Sequence, residues 1–272
     1  MTGRALVLHG VRGSMAVSGR SSRRHGGATT CYSVEVEPGR LLVIDAGTGL
    51  RNLQHRLEPG RAYDFTIFLT HYHLDHVIGL PLFEPLHDPA NRFVFYGTAH
   101  GGLSPREALN RLMGPPLFPV SLEEAEAQVE IHDLPRKPVA VGDVVVSHTA
   151  LHHPQGCTGY RLQAGERSIV VATDHEAGSS ADGRLDDLAA GAGVLLHDAQ
   201  YLPGEVEGIR KGWGHSSYEA AAAAAWRAGV RRLVLVSHDP ERSDDEIDDI
   251  VVQARRRFPT TWAGHAGMTL PI

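Results

Sequence analysis

Five times along the chain an apolar, β-prone run ends directly in aspartate or histidine: RLLVIDAG at Asp45, FTIFLTHYHLDH at His71, SIVVATDHE at Asp174, GVLLHDAQ at Asp198 and RRLVLVSHDP at His238. One such junction is what chance supplies. Five with the same two residue types predict strands that end at a common edge and deliver their terminal side chains to a shared site on the loops there.

The segments between these junctions alternate in period. Short β-rich runs (ALVLHG, CYSVEVE, RLLVIDAG, FTIFLTH) fill the first third, and the turn Glu37-Pro38-Gly39-Arg40 reads as a hairpin. Helical periodicity follows over 74–86, 105–113 and 121–128. The second half repeats the order: strands DVVVSHTA, TGYRLQ, SIVVATD and GVLLHD, a helix over 217–228, strand RRLVLVSH and a helix over 244–258. The 30 glycines and 16 prolines are spread through the connections rather than gathered in a linker. We therefore expect one domain over residues 1–272, of class α/β (α+β), with two β-then-α halves packed as a four-layer αββα sandwich.

At 272 residues the chain is long enough to bury a full core without cross-links. Its two cysteines, Cys31 and Cys157, make no thiol-rich metal pattern. A reduced, cytoplasmic protein fits them best, with a single bridge left open. The N-terminus shows no secretory pattern, and no stretch approaches the ~20 apolar residues of a membrane helix. The Ala-rich run after Glu219 reads as the buried face of a helix. A net charge of -6 offers a polynucleotide no long-range attraction, and the basic clusters near Arg23 and Arg256 are local.

There are 17 histidines. His9, His55, His87, His100, His132 and His265 stand singly and read as surface or satisfied core residues. His71-Tyr72-His73-Leu74-Asp75-His76 is different: alternation along an extended segment puts His71 and His73 on one side, and a turn at Asp75 and His76 brings four potential ligands together. Imidazole and carboxylate suit zinc, iron or manganese, and the lack of cysteine ligands argues against a closed structural zinc site. Further ligands come from the other strand ends: Asp174, placed to bridge two metals, His238, and either His152 or His153 of LHHP.

The His-x-His-x-Asp-His run, followed by later His, Asp and His at strand ends, resembles the metallo-β-lactamase superfamily over nearly the whole chain. The resemblance implies that sandwich fold and two divalent metal ions, zinc above manganese or iron. It implies His71, His73 and His153 on one metal, Asp75, His76 and His238 on the other, and Asp174 between them. His153 is preferred to His152 through the context His153-Pro154-Gln155-Gly156-Cys157-Thr158-Gly159-Tyr160-Arg161. Asp45 in Ile44-Asp45-Ala46-Gly47 looks like the family's first motif, whose aspartate supports the ligand loop.

Two later segments, Asp198-Ala199-Gln200-Tyr201 and Gly214-His215-Ser216-Ser217-Tyr218-Glu219, resemble paired motifs of the ribonuclease Z and related phosphodiesterase branch. Ser216 and Glu219 read as a capping box, which would set His215 just before a helix N-terminus, where an anion is favoured. The runs 10–14 and 26–31 resemble a bacterial group within that branch, with Ala28 where asparagine is expected. The chain shows no long basic, glycine-rich arm like the one ribonuclease Z uses to grip transfer RNA. The resemblance thus implies hydrolysis of a small or cyclic phosphodiester through a metal-bridging hydroxide, with His215 and Asp198 as catalytic groups beside Asp75. Alternatives are an RNA-processing nuclease of the ribonuclease Z type and a lactonase or thioesterase. Large nucleic acid and membrane partners are disfavoured, and a homodimer is compatible with the sequence.

Overall fold

The computed structural model describes residues 4–272. Its first sheet is built from β1 (Ala5–Gly10), β2 (Cys31–Glu37), β3 (Arg40–Ile44), β4 (Asp64–Phe68), β5 (Arg92–Gly97) and β6 (Gln128–Asp133). The second contains β7 (Val139–Val141), β8 (Val144–Leu151), β9 (Cys157–Ala164), β10 (Arg167–Ala172), β11 (Val194–Asp198), β12 (Leu233–Val236) and β13 (Thr261–Ala263). The last strand, β14 (Thr269–Pro271), returns to the first sheet and pairs antiparallel with β1, so that the chain's end ties the halves together. The expected hairpin is present, with Glu37 opposite Arg40.

Three apolar layers hold the sandwich. Leu6, Leu8, Tyr32, Val34 and Ile44 of the first sheet meet Val146, Tyr160, Leu162, Ile169 and Val171 of the second between the sheets. The outer face of the first sheet packs Phe65, Phe93 and Phe95 against residues of α1 (Leu50–Gln54) and α3 (Pro105–Leu112). The outer face of the second is covered by α4 (Ala181–Ala189), α6 (Tyr218–Ala228) and α7 (Asp244–Arg257). On α6, Ala221, Ala222, Ala224, Ala225 and Ala228 are buried, and their small side chains let the helix backbone lie close to the sheet. No helix among the described residues is long and apolar enough to cross a membrane. Cys31 and Cys157 are both buried and free, so no bridge joins them.

Sheet direction explains why the polar junctions meet. Strands β3 and β4 are parallel, as are β10, β11 and β12. Strand β8 is antiparallel to β9, which is antiparallel to β10, so β8 runs with β10 and also ends at that edge. Asp45, His71, Asp174, Asp198 and His238 therefore follow strand ends on one rim, where open sheets place ligands.

Three local expectations are corrected. The helical period over 74–86 yields only α2 (Leu74–Val77) and two 3-10 turns, because Gly79, Pro81 and Pro85 break the backbone ladder. Residues 121–128 form a single 3-10 turn, and Gln128 begins β6 by pairing with Arg92 of β5. The cap of α6 is Ser217, whose side chain accepts from the Ala220 N–H. Ser216 instead hydrogen-bonds the His175 carbonyl, and Glu219 meets Arg257, so the capping box expected between them does not form.

Candidate metal centre

Thr70, at the end of the run that leads into His71, is the hub of the first half of the site. Asp45 sits on the left-handed side of φ space (φ 58), a conformation that costs a non-glycine residue strain and clusters at functional sites. That backbone turns its carboxylate inward, where it accepts the Thr70 N–H and hydroxyl, each at 2.8 Å, and the His76 Nδ1–H at 2.7 Å. Thr70 in turn accepts from His71 Nδ1 at 3.0 Å.

The same division of labour recurs on every imidazole. His153 donates Nδ1–H to the Gly214 carbonyl at 2.7 Å, and His73 donates Nε2–H to Gln155 Oε1 at 3.0 Å. Each outward bond fixes the tautomer and leaves the other nitrogen's lone pair facing inward. Those inward atoms converge: Asp174 Oδ2 lies 3.5 Å from His71 Nε2, 3.4 Å from His76 Nε2 and 3.6 Å from His153 Nε2. His73 Nδ1 is 3.0 Å from His153 Nε2. Asp75 Oδ2 stands 3.2 Å from His76 Nε2 and accepts the Ser14 N–H at 2.8 Å.

Three overlapping groups of candidate ligand atoms result: His71 with His73 and His153, His71 with His76 and Asp174, and His153 with Asp174 and His215. His71 Nε2, His76 Nε2 and Asp174 Oδ1 are buried with no hydrogen-bond partner, a costly state unless a cation takes their lone pairs. Electrostatics agree: burial opposes charge on His76, yet Asp75, Asp174 and Asp45 hold its pKa well above the usual histidine value. A spot of such negative potential, lined by imidazole and carboxylate, fits divalent metal ions.

Gly214 shows how closely the second half is fitted. Its φ of 89 suits glycine, and a Cβ there would fall 2.2 Å from His153 Nδ1. Glu176 holds the loop by accepting the N–H groups of Gly212 and Gly214, each at 2.8 Å. The next residue, His215, donates Nδ1–H to the fully buried Asp198 at 2.7 Å. Burial opposes charge on His215, but the Asp198 carboxylate raises its pKa to about 9. Burial pushes Asp198 itself up to about 6.

The structure turns His153 inward and leaves His152 exposed, which decides the geometry that LHHP left open. His153→Ala is accordingly expected to abolish hydrolysis, whereas His152→Ala should retain most of it; initial rates and metal content of the two variants measure this, and the opposite ranking would overturn the placement.

His238 is the sequence-predicted ligand that the structure does not bring in. Its backbone is clamped between Val11 and Gly13, its Nε2 donates to the Gly264 carbonyl at 3.0 Å, and its ring lies 5.6 Å from that of His25. With Nε2 spent on that carbonyl, His238 brings neither ring nitrogen into any of the three ligand groups. His215 is nearer the cluster than its separation in sequence suggests. Sequence reasoning also passed over Ser14, Thr70 and Glu176 as functional residues, and Arg12, which is fully buried and donates to the Gly26, Asp239 and Arg242 carbonyls. Nothing in the string GVRGS signals burial of that guanidinium.

Comparison with known proteins places this geometry. Residues 40–238 match the family model described as a beta-lactamase superfamily domain. A ribonuclease Z from Mycobacterium marinum is 30% identical, covering 74% of this chain and 77% of its own, and one from Myxococcus xanthus is 27% identical over 80% and 83%. Among solved structures, a diphosphatase from the PhnP family superposes with a TM-score of 0.74 at 20% identity, over 99% of this chain and 98% of that one. The short form of human tRNase Z gives 0.69 at 20% identity, over 98% and 100%. With its histidine and aspartate cluster at the strand-end rim and these relatives, the chain belongs to the metallo-β-lactamase superfamily, on the branch that includes ribonuclease Z, and is a metal-dependent hydrolase.

Proposed function

We propose that the chain is a phosphodiesterase for small or cyclic phosphodiesters. The observation that carries this reading is the His215–Asp198 pair, whose imidazole lies against the inward atoms of His153 and Asp174. A cationic N–H donor at that place suits a phosphoryl oxygen or a leaving alkoxide better than it suits a neutral acyl group.

His71, His73 and His153 would hold one ion; Asp75 and His76 the other, with His238 if its ring turns; Asp174 would lie between them. Two divalent ions so held would supply Lewis acidity and bring the pKa of an attacking water towards ~7. The chain's own residues do the rest. Asp45 and Thr70 orient His76 and His71, Ser14 N–H fixes Asp75, and Gln155 and Gly214 fix His73 and His153. His215 binds the phosphoryl group and gives its Nε2 proton to the departing oxygen, while Asp198 holds the ring through Nδ1.

Small substrates are favoured over RNA by the net charge of -6, which gives a polynucleotide backbone no overall attraction. A cavity of about 300 Å³ lies beside His215, lined by Ala177, Val206, Lys211 and Ala220 among others, and suits one small leaving group. The second reading, a nuclease, is favoured by the ribonuclease Z relatives.

Rates on bis(p-nitrophenyl) phosphate with added zinc or manganese, on a lactone and thioester panel, and on precursor transfer RNA separate these readings. We expect turnover of the diester, and none of the RNA. Precursor cleavage at a higher kcat/KM than the small diester would replace our reading with the nuclease, and faster lactone or thioester hydrolysis would remove both.

A further inference from the structure

Between α5 (Pro203–Glu207) and α6 the chain makes a tight turn in which the Trp213 N–H donates to the Arg210 carbonyl. This folds Trp213 under the Arg210 side chain, with the guanidinium carbon 4.3 Å from the ring centroid. The same guanidinium lies 5.4 Å from the centroid of Tyr201. Tyr201 is buried and meets His215 edge-on, their centroids 5.5 Å apart. Tyr201 is therefore a neighbour of both Arg210 and the proposed proton donor.

Arg210 has no hydrogen bond or ion pair through its guanidinium among the described residues, although it is half-buried. The carboxylates nearby are engaged elsewhere: both oxygens of Glu205 accept from Arg242, and Glu176 holds the Gly212 and Gly214 amides. Arg12 and Arg242 spread their N–H groups over carbonyls and Glu205. Arg210 alone at this rim is a cation stacked on two aromatic faces with its N–H edge uncommitted. Stacking removes water from the flat faces and holds the fork in place, which leaves the edge to bind a planar or tetrahedral oxyanion.

We propose that Arg210 is a specificity-determining residue that binds a second phosphate on the substrate, at the rim where Tyr201 lies between it and His215 as a shared neighbour. The proposal rests on the phosphodiesterase reading, and it narrows the substrate class to diesters that carry an additional phosphate.

Two measurements on the metal-loaded protein test it. Calorimetric titration compares adenosine 3′,5′-bisphosphate with adenosine 5′-monophosphate. Turnover compares a diadenosine dinucleotide with and without a 5′-phosphate. The wild type is expected to favour the ligand with the extra phosphate by on the order of tenfold to a hundredfold in each, as loss of a charge-assisted bond predicts. Arg210→Ala should bring both ratios close to one, and Arg210→Lys should restore part of them. Arg210→Gln keeps the stem against Trp213 and serves in place of the alanine variant if thermal unfolding shows that variant to be misfolded. A wild type without the preference, or a preference that survives in Arg210→Ala or Arg210→Gln, overturns the proposal. If no diester is turned over, the phosphodiesterase reading fails, while the binding ratio still decides whether Arg210 holds the second phosphate.

Discussion

Asp174→Ala should leave a folded protein that no longer holds a metal pair, with hydrolysis lowered by on the order of 10³-fold or more. The size of the effect follows from where the carboxylate stands. Its Oδ2 lies 3.4–3.6 Å from the inward nitrogens of His71, His76 and His153, and its Oδ1 has no protein partner. Removing it takes away the one anionic group that reaches both halves of the cluster, and cations brought close together there would repel one another without it. We expect the wild type to carry about two metals per chain by elemental analysis, and Asp174→Ala to carry at most one, weakly held. Chelation should abolish wild-type activity and added zinc or manganese should restore it, whereas the variant should not recover. An Asp174→Ala protein with full metal content and normal turnover would refute the centre as described.

His215→Ala is expected to act on the chemistry. Loss of a proton donor or transition-state hydrogen bond lowers kcat by ~10²–10⁴-fold. Because the donor is needed most when the leaving alkoxide is basic, the deficit should be large for an alkyl or nucleoside diester and smaller for one that releases p-nitrophenolate. Asp198→Asn should show a weaker form of the same pattern, since the imidazole remains but loses the carboxylate that charges and orients it at 2.7 Å. The placement of His215 beside His153 and Asp174 makes metal content the deciding control. If His215→Ala keeps two metals and shows the leaving-group dependence, its role is the proton donor. If it loses a metal, His215 is a ligand, and the expectation that it acts apart from the metals is withdrawn.

How much was legible beforehand depended on whether a property is local. The strand ends at Asp45, His71, Asp174 and Asp198 could be read because alternation and turn signals act over a few residues, and the close spacing of His71, His73, Asp75 and His76 obliges those groups to be neighbours whatever the rest of the chain does. The same locality misled over 74–86, where an apolar period was cut by Gly79, Pro81 and Pro85.

Choices between adjacent residues lay beyond that reach. His152 and His153 differ by one position, and a one-residue step moves a side chain to the opposite face; pairing of Leu151 with Cys157, followed by the turn that links the Gly156 N–H to the His153 carbonyl, selects His153. Ser217 caps α6 instead of Ser216 because Ser216 is drawn to the loop after Asp174. The side chain of His238 was no more readable, since a carbonyl 26 residues further on, at Gly264, takes its proton. Likewise the pairing of Asp45 with His76, the burial of Arg12 and the stacking of Arg210 between Tyr201 and Trp213 all join residues whose contact depends on sheet order and loop path. Sequence by itself determined which chemical groups stand at the ends of strands; only the tertiary structure decided which of their atoms face one another, because that depends on register and on hydrogen bonds between segments far apart in the chain.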